Sequence, residues 1–320
     1  MALGAAAKLV TARKLRVMTT ALITATLFND PACPFGYSAN PALRVIEWRY
    51  GSQISWRLVV IGLREAASEF EKIGYTPLRQ AQGALHFRER WGMPFASGVK
   101  SGMAASSRAC RAVVAARREY PGSEWNVLRT LQFGNFNTPL LFDNAQQMVA
   151  VLSVVDGIDA ARVVELVDDP EVIAEYERDK ALARTAAGSP TELQGKAANS
   201  DGKVRYTAPS VVFERRPEGL RLEAGGMQPV EAYDVLVANL APGLTRREVP
   251  EDRAELLSYF THGLTTAEVA ALCVRGNELP DLHAAELALV ALLAEGRAER
   301  HPLGNDALWT LPGGPDVPRL

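Results

Sequence analysis

The alternation of apolar and polar positions divides the chain into strand-like and helix-like runs. Residues 21–28, Ala-Leu-Ile-Thr-Ala-Thr-Leu-Phe, carry no charge and are rich in β-formers, which predicts a strand covered on both faces of a sheet. Residues 42–50 place apolar side chains at helical spacing and stop at Gly51, a residue suited to the position just past a helix end. Residues 54–61 predict a second strand, parallel to the first through a right-handed crossover.

Helical periodicity then dominates, over 104–119, 122–133, 144–155, 159–167 and 170–184, with breaks at Pro121-Gly122, Pro139, Gly157 and Pro170. A polar stretch over 188–202 is expected to return the chain to the sheet. Residues 205–214 and 219–223 predict a hairpin across Pro217-Glu218-Gly219, and 229–240 a closing helix, after which Pro242-Gly243 marks a boundary. Beyond it, Thr265-Thr266-Ala267-Glu268 is a capping box, 282–295 a helix ended by Gly296, and 298–302 with 307–311 a pair of strands joined across Gly304-Asn305. Helices followed by a hairpin describe a winged-helix-like module. Its would-be recognition helix carries Asp281, Glu286 and Glu295, which argues against gripping DNA phosphates and leaves a protein contact as the expected use.

With 320 residues, 48% of them hydrophobic and 22% charged, the chain is long enough for two or three packed units. A net charge of -2 supplies neither a broad basic field for nucleic acid nor a polybasic membrane patch. Three cysteines are too few for a disulfide scaffold and fit a reducing cytoplasm; Cys110 and Cys273, set among alanines and aliphatic residues, read as core. His86, His262, His283 and His301 form no ligand-spaced pair, so no structural metal is expected. Lys8, Arg13, Lys14 and Arg16 precede an apolar run in the manner of a signal peptide, but removing that run would remove the first strand. Residues 1–17 are therefore expected to be an extension, with Met18 an alternative start.

The third cysteine is different. Cys33 lies in Asp30-Pro31-Ala32-Cys33-Pro34-Phe35-Gly36-Tyr37, between the first strand and the first helix. A thiol there meets unpaired backbone N–H groups and the positive end of the helix dipole, so Cys33 is expected to be a nucleophile with a pKa below the roughly 8.5 of a free cysteine. Tyr37 and Ser38 fall in the first helical turn, where a hydroxyl could donate toward the thiolate or simply pack. Asp30 reads as a turn former before Pro31 or as a proton acceptor.

Strand, thiol turn, helix, with Pro41 where a kink proline belongs, resembles the DsbA-like thioredoxin superfamily, in the branch of FrnE-type oxidoreductases, the YjbH adaptor and 2-hydroxychromene-2-carboxylate isomerases. The likeness rests on residues 30–35 and 206–213, with support from Trp91-Gly92-Met93-Pro94-Phe95 and the helical stretch 106–118. Over roughly residues 20–240 it implies an α/β thioredoxin-like fold split by a large all-helical insertion, with 18–63 and 201–242 as the two halves and 64–200 as the insert; it leaves 243–320, the winged-helix-like module read from the pattern above, outside the likeness. It also implies a cis bond between Ala208 and Pro209 facing Cys33, with Pro34, Phe35 and Gly36 completing the site and Trp91, Met93 and Pro94 forming one wall of a pocket.

The departure from the pattern is Gly36, which stands where relatives with Cys-x-x-Cys carry the resolving thiol. The resemblance thus implies a thiol-dependent oxidoreductase or thiol transferase with one active-site cysteine, no tightly bound cofactor, and a low-molecular-weight thiol as co-substrate. Two other readings stand beside it: a YjbH-like adaptor that binds a protein through the C-terminal module, and an isomerase or transferase that binds a thiol at Pro209. Relatives of the last kind carry serine at the nucleophile position, and this chain keeps cysteine.

Overall fold

The structure is a computed structural model that describes residues 21–276 and 278–320; the expected extension over 1–17 and Met18 lie outside them. Strand β1 (Ile23–Asn29) leads through the Cys33 turn to helices α1 (Pro34–Ser38) and α2 (Asn40–Tyr50), which break at Ala39 just ahead of Pro41. β2 (Ile54–Val60) follows. The insertion holds α3 (Ser68–Lys72), α4 (Pro77–Trp91), α5 (Ser107–Glu119), α6 (Glu124–Asn137), α7 (Ala145–Leu152), α8 (Ala160–Glu165), α9 (Pro170–Ala183) and α10 (Pro190–Leu193). The chain returns through β3 (Ala197–Asn199), β4 (Val204–Tyr206), β5 (Ser210–Arg215), β6 (Arg221–Ala224) and α11 (Val230–Leu240). The last quarter adds α12 (Ala254–Tyr259), β7 (Leu264–Thr265), α13 (Thr266–Leu272), α14 (Leu282–Ala294), β8 (Glu299–Leu303) and β9 (Asp306–Thr310).

The main sheet has the order β2-β1-β5-β6. β1 pairs parallel with β2, and β5 is antiparallel to both β1 and β6. The uncharged run thus becomes an inner strand with apolar cover on each side: Ile23, Ala25 and Leu27 face the core shared with α2, α5 and α11, while Phe28 faces a second cluster with Cys33, Val59, Ile61 and Tyr206. The expected strand over 205–214 is in fact two. Thr207, Ala208 and Pro209 interrupt it, and β4 pairs with β3 in a separate small hairpin instead of joining the main sheet. Helices α3, α4, α10 and α12 and strands β3 and β7 were not expected from the pattern.

α5 is the spine of the insertion. Its alanines and valines from Ala109 to Ala116 are buried apart from Arg111, and its outer end carries Arg117, which bridges Glu175 (2.8 Å) and Asp179 (3.0 Å) of α9. The C-terminal elements pack closely on the rest of the chain. Val45 and Trp48 of α2 share a core with Leu256, Leu289 and Trp309, and Tyr37, Met93 and Phe133 share another with Ala267, Leu303 and Leu308. Between these clusters Arg129 of α6 makes a bidentate pair with the fully buried Glu268 of α13, at 2.6 and 2.7 Å.

Candidate active site

Cys33 is the N-cap of α1: its carbonyl accepts from Tyr37 N–H at 3.0 Å, and Pro34 occupies the first helical position, where a missing N–H costs nothing. The Ala208–Pro209 peptide bond is cis, and the Cys33 thiol donates to the Ala208 carbonyl at 3.1 Å. Strand β1 delivers the thiol and the loop before β5 delivers its partner, because the two strands pair side by side with Phe28 opposite Ser210.

The electrostatics correct the expectation of a low pKa. Cys33 is only 7% exposed, and burial pushes its thiol up to about 12. The N–H groups of Gly36 and Phe35 and the charge of Arg205 pull the other way, and Asp30 adds to the rise. The helix terminus is present and its N–H groups favour the anion, yet desolvation by burial outweighs them. The resting group is a neutral thiol acting as a donor.

Asp30 is wholly buried and holds the loop together. Its Oδ1 accepts from Ala32 N–H (2.8 Å); its Oδ2 accepts from Leu63 N–H (2.9 Å), the Ser106 hydroxyl (2.9 Å) and the Cys110 thiol (3.4 Å). Burial raises its pKa and these hydrogen bonds oppose the rise. The turn-forming reading of Asp30 therefore holds, with the addition that one carboxylate ties the thiol loop, the end of β2 and the start of α5. Cys110 is buried as core, and its thiol faces this carboxylate.

Beside the thiol loop opens a cavity of about 430 Å³ between the loop, α4, the 95–104 segment and the end of α6. Ala32 and Pro34, which flank Cys33, line it together with Phe70, Phe87, Phe95, Lys100 and Arg205. Among the described residues no aspartate or glutamate lines it.

The profile of the DsbA-like thioredoxin domain matches residues 24–202, more than half of the chain. The chain belongs to the DsbA-like thioredoxin domain family. Among solved structures it is similar to a candidate protein disulfide isomerase from Nitrosomonas europaea, with 16% identity over 68% of this chain and 96% of that one and a TM-score of 0.51. It is also similar to the cytosolic disulfide reductase DsbM from Pseudomonas aeruginosa (16% identity, 69% of this chain and 100% of that one, TM-score 0.48) and to a probable DsbA oxidoreductase from Streptomyces coelicolor (16%, 71% and 94%, 0.48). No protein of curated function matches it. The first of these likenesses, at 16% identity, bears on the fold alone.

Within this DsbA-like frame the expected site residues separate into two groups. Cys33, Pro34, Ala208 and the cis Pro209 meet at the thiol, and Phe35 projects half-exposed beside Phe87. Tyr37 turns away: it is fully buried against Phe95, Phe133 and Phe136, and its hydroxyl donates to the Pro94 carbonyl (3.0 Å) while accepting from Asn137. The Ser38 hydroxyl is buried with no partner among the described residues. Trp91, Met93 and Pro94 do not line the cavity. Met93 is packed against the C-terminal elements, where Thr265 donates to its sulfur, and the cavity wall is made by the next two residues, Phe95 and Ala96. An apolar residue in a loop motif gave no sign of which neighbour would face inward.

Gly36 is buried, and a Cβ built on it would overlap Oδ1 of Asn29, whose side chain also accepts from Asp30 N–H at 2.8 Å. Sequence reasoning missed Asn29, although a polar residue closing an apolar strand just before the thiol loop is a visible signal. It also missed Lys100 and Arg205, single cations in polar surroundings that acquire a role only where the cavity gathers them. Among the described residues no cluster of three metal-ligating side chains occurs and no helix is long and apolar enough to cross a membrane.

Proposed function

We propose that the protein is a single-cysteine thiol–disulfide oxidoreductase. The observation that carries this reading is the placement of Cys33 at the N-terminus of α1 with its sulfur on the Ala208 carbonyl, so that a disulfide reaching the sulfur would lie along the backbone ahead of β5. In the forward step the Cys33 thiolate attacks one sulfur of a mixed disulfide. The S–S bond breaks, a Cys33 mixed disulfide forms, and the departing sulfur leaves as a thiolate that takes up a proton. A low-molecular-weight thiol from solution then attacks that adduct as its thiolate, regenerates Cys33 and leaves as part of a new disulfide. The electrons come from external thiols, and no bound cofactor enters. Arg205, whose charge favours the Cys33 anion, is proposed to support the thiolate once substrate displaces the Ala208 contact.

The burial of Cys33 favours a second reading, a non-catalytic adaptor that retains the fold and presents the C-terminal module to a protein partner. One experiment separates the two. Wild type and Cys33→Ser are assayed for acceleration of mixed-disulfide reduction by a small thiol, with intact-mass detection of the Cys33 adduct. Acceleration and adduct in wild type alone support the oxidoreductase; neither, up to pH 9, leaves the adaptor.

A further inference from the structure

The charge lining of the cavity beside the thiol loop is one-sided. Three cations, Arg64, Lys100 and Arg205, face it, and Arg64 is already bridged to Glu69 at 3.5 Å. Lys100 is different. Its ammonium donates to Asn135 Oδ1 (3.0 Å) and to the Leu140 carbonyl (2.7 Å), both neutral, and no carboxylate among the described residues lies within ion-pair reach of it. An ammonium has three donors, so one N–H and the whole charge remain without an anion. Burial pushes Lys100 down to about 7, the mark of a cation that its surroundings do not balance. Asn135, which fixes the ammonium, is itself buried, and its Nδ2 has no partner among the described residues.

The remaining walls are mostly apolar: Phe70, Ile73, Phe87, Phe95, Val99 and Leu141 line the cavity. An apolar chamber holding a fixed, uncompensated ammonium is complementary to a molecule with a hydrocarbon body and one acid group. The body would gain by leaving water, and the acid would supply the missing counter-charge in a place where water screens little. We propose that this cavity binds a small hydrocarbon monocarboxylate, its chain among Phe70, Phe87 and Phe95 and its carboxylate on Lys100. Arg205, which among the described residues donates only to Ser200 and to the Tyr206 carbonyl, adds to the positive field at the side nearer Cys33. The inference goes beyond the thiol chemistry and does not depend on it, since Cys33 is not among the lining residues.

The test is calorimetric titration at pH 6.5 of the full chain with straight-chain acids from butanoate to octanoate and with the alcohols of equal length. Affinity for the acids should rise about fourfold per methylene until the chamber is filled. Octanoate should bind at least about tenfold more tightly than octanol. Lys100→Met should abolish that preference while leaving octanol binding in place, and Lys100→Arg, which keeps the charge, should retain it. Equal binding of acid and alcohol, a preference that survives Lys100→Met, or no saturable binding at millimolar ligand would each overturn the proposal. Repeating the titration on Cys33→Ser shows whether a negative result belongs to the cavity or to the thiol site.

Discussion

The side chain of Asn29 fills the space that a side chain at position 36 would need. Asn29 is 1% exposed and anchored by Asp30 N–H, so its amide is not a loose end that can swing aside. The missing second thiol is therefore matched by a residue that occupies its place. Gly36→Cys alone should overpack the loop, cost about 1–3 kcal/mol in urea unfolding and give no dithiol chemistry. Adding Asn29→Ala should relieve the clash and allow insulin reduction above the level of dithiothreitol alone. Insulin reduction by the single variant would show that Asn29 yields easily and that the pairing is incidental.

Tyr37 supplies a second discriminating change. Its hydroxyl is committed to the Pro94 carbonyl and Asn137, on the side away from the sulfur. Tyr37→Phe should cost about 1–3 kcal/mol in stability, since two hydrogen bonds are lost and the buried Pro94 carbonyl is left without its donor, and leave the pH profile of Cys33 alkylation unmoved. A displaced profile would mean that the hydroxyl reaches the thiol.

What the sequence disclosed and what it withheld follow from range. The β1 run, the Cys33-Pro34 helix start and the Thr265 to Glu268 capping box are local patterns, and each is present as expected. α4 was missed although Leu78, Ala81 and Leu85 fall at helical spacing, because only Ala81 of it is buried and Leu78 and Leu85 stay exposed. β7 is two residues long and exists through its pairing with β9. At the site, the positions of Cys33 and Pro209 were legible, whereas the burial of the thiol was not. That burial comes from Phe28, Val59 and Tyr206, which only the folded chain brings around it. Lys100 and Asn135 are 35 positions apart and meet at the cavity with no trace in either neighbourhood.

The buried pair of Arg129 and Glu268 joins the insertion to the C-terminal elements. Burial works to raise the Glu268 carboxyl, but the Arg129 charge and hydrogen bonds, with help from Arg44 and Thr265, hold it below its ordinary 4.5. A carboxyl lowered on folding contributes stability that is present above its unfolded value and lost as pH falls through the folded one. The protein should therefore lose stability below about pH 4.5 in part through this group. Glu268→Gln should cost about 3–5 kcal/mol at pH 7, because it leaves the guanidinium buried and uncompensated, and should flatten the acid limb. Urea unfolding of both proteins across pH 3–7 checks this; an unchanged acid limb in the variant would place the acid sensitivity elsewhere.

The last prediction concerns the reactivity of Cys33 itself. Only the thiolate attacks an alkylating agent, and burial holds the Cys33 thiol up to about 12. The observed rate at Cys33 should consequently rise about tenfold per pH unit through the neutral and alkaline range, with no plateau between pH 6 and 9. Cys273, less buried than the other two cysteines, should react first in the native protein, and Cys33 and Cys110 later. Iodoacetamide labelling read by peptide mass spectrometry gives all three rates at once, and labelling in urea gives the unfolded reference. If mixed-disulfide reduction climbs with pH in step with Cys33 labelling, thiolate formation limits the proposed thiol–disulfide exchange. A Cys33 plateau near neutrality would mean instead that the helix terminus prevails over burial once the loop opens, and the thiol would then be poised for exchange at neutral pH.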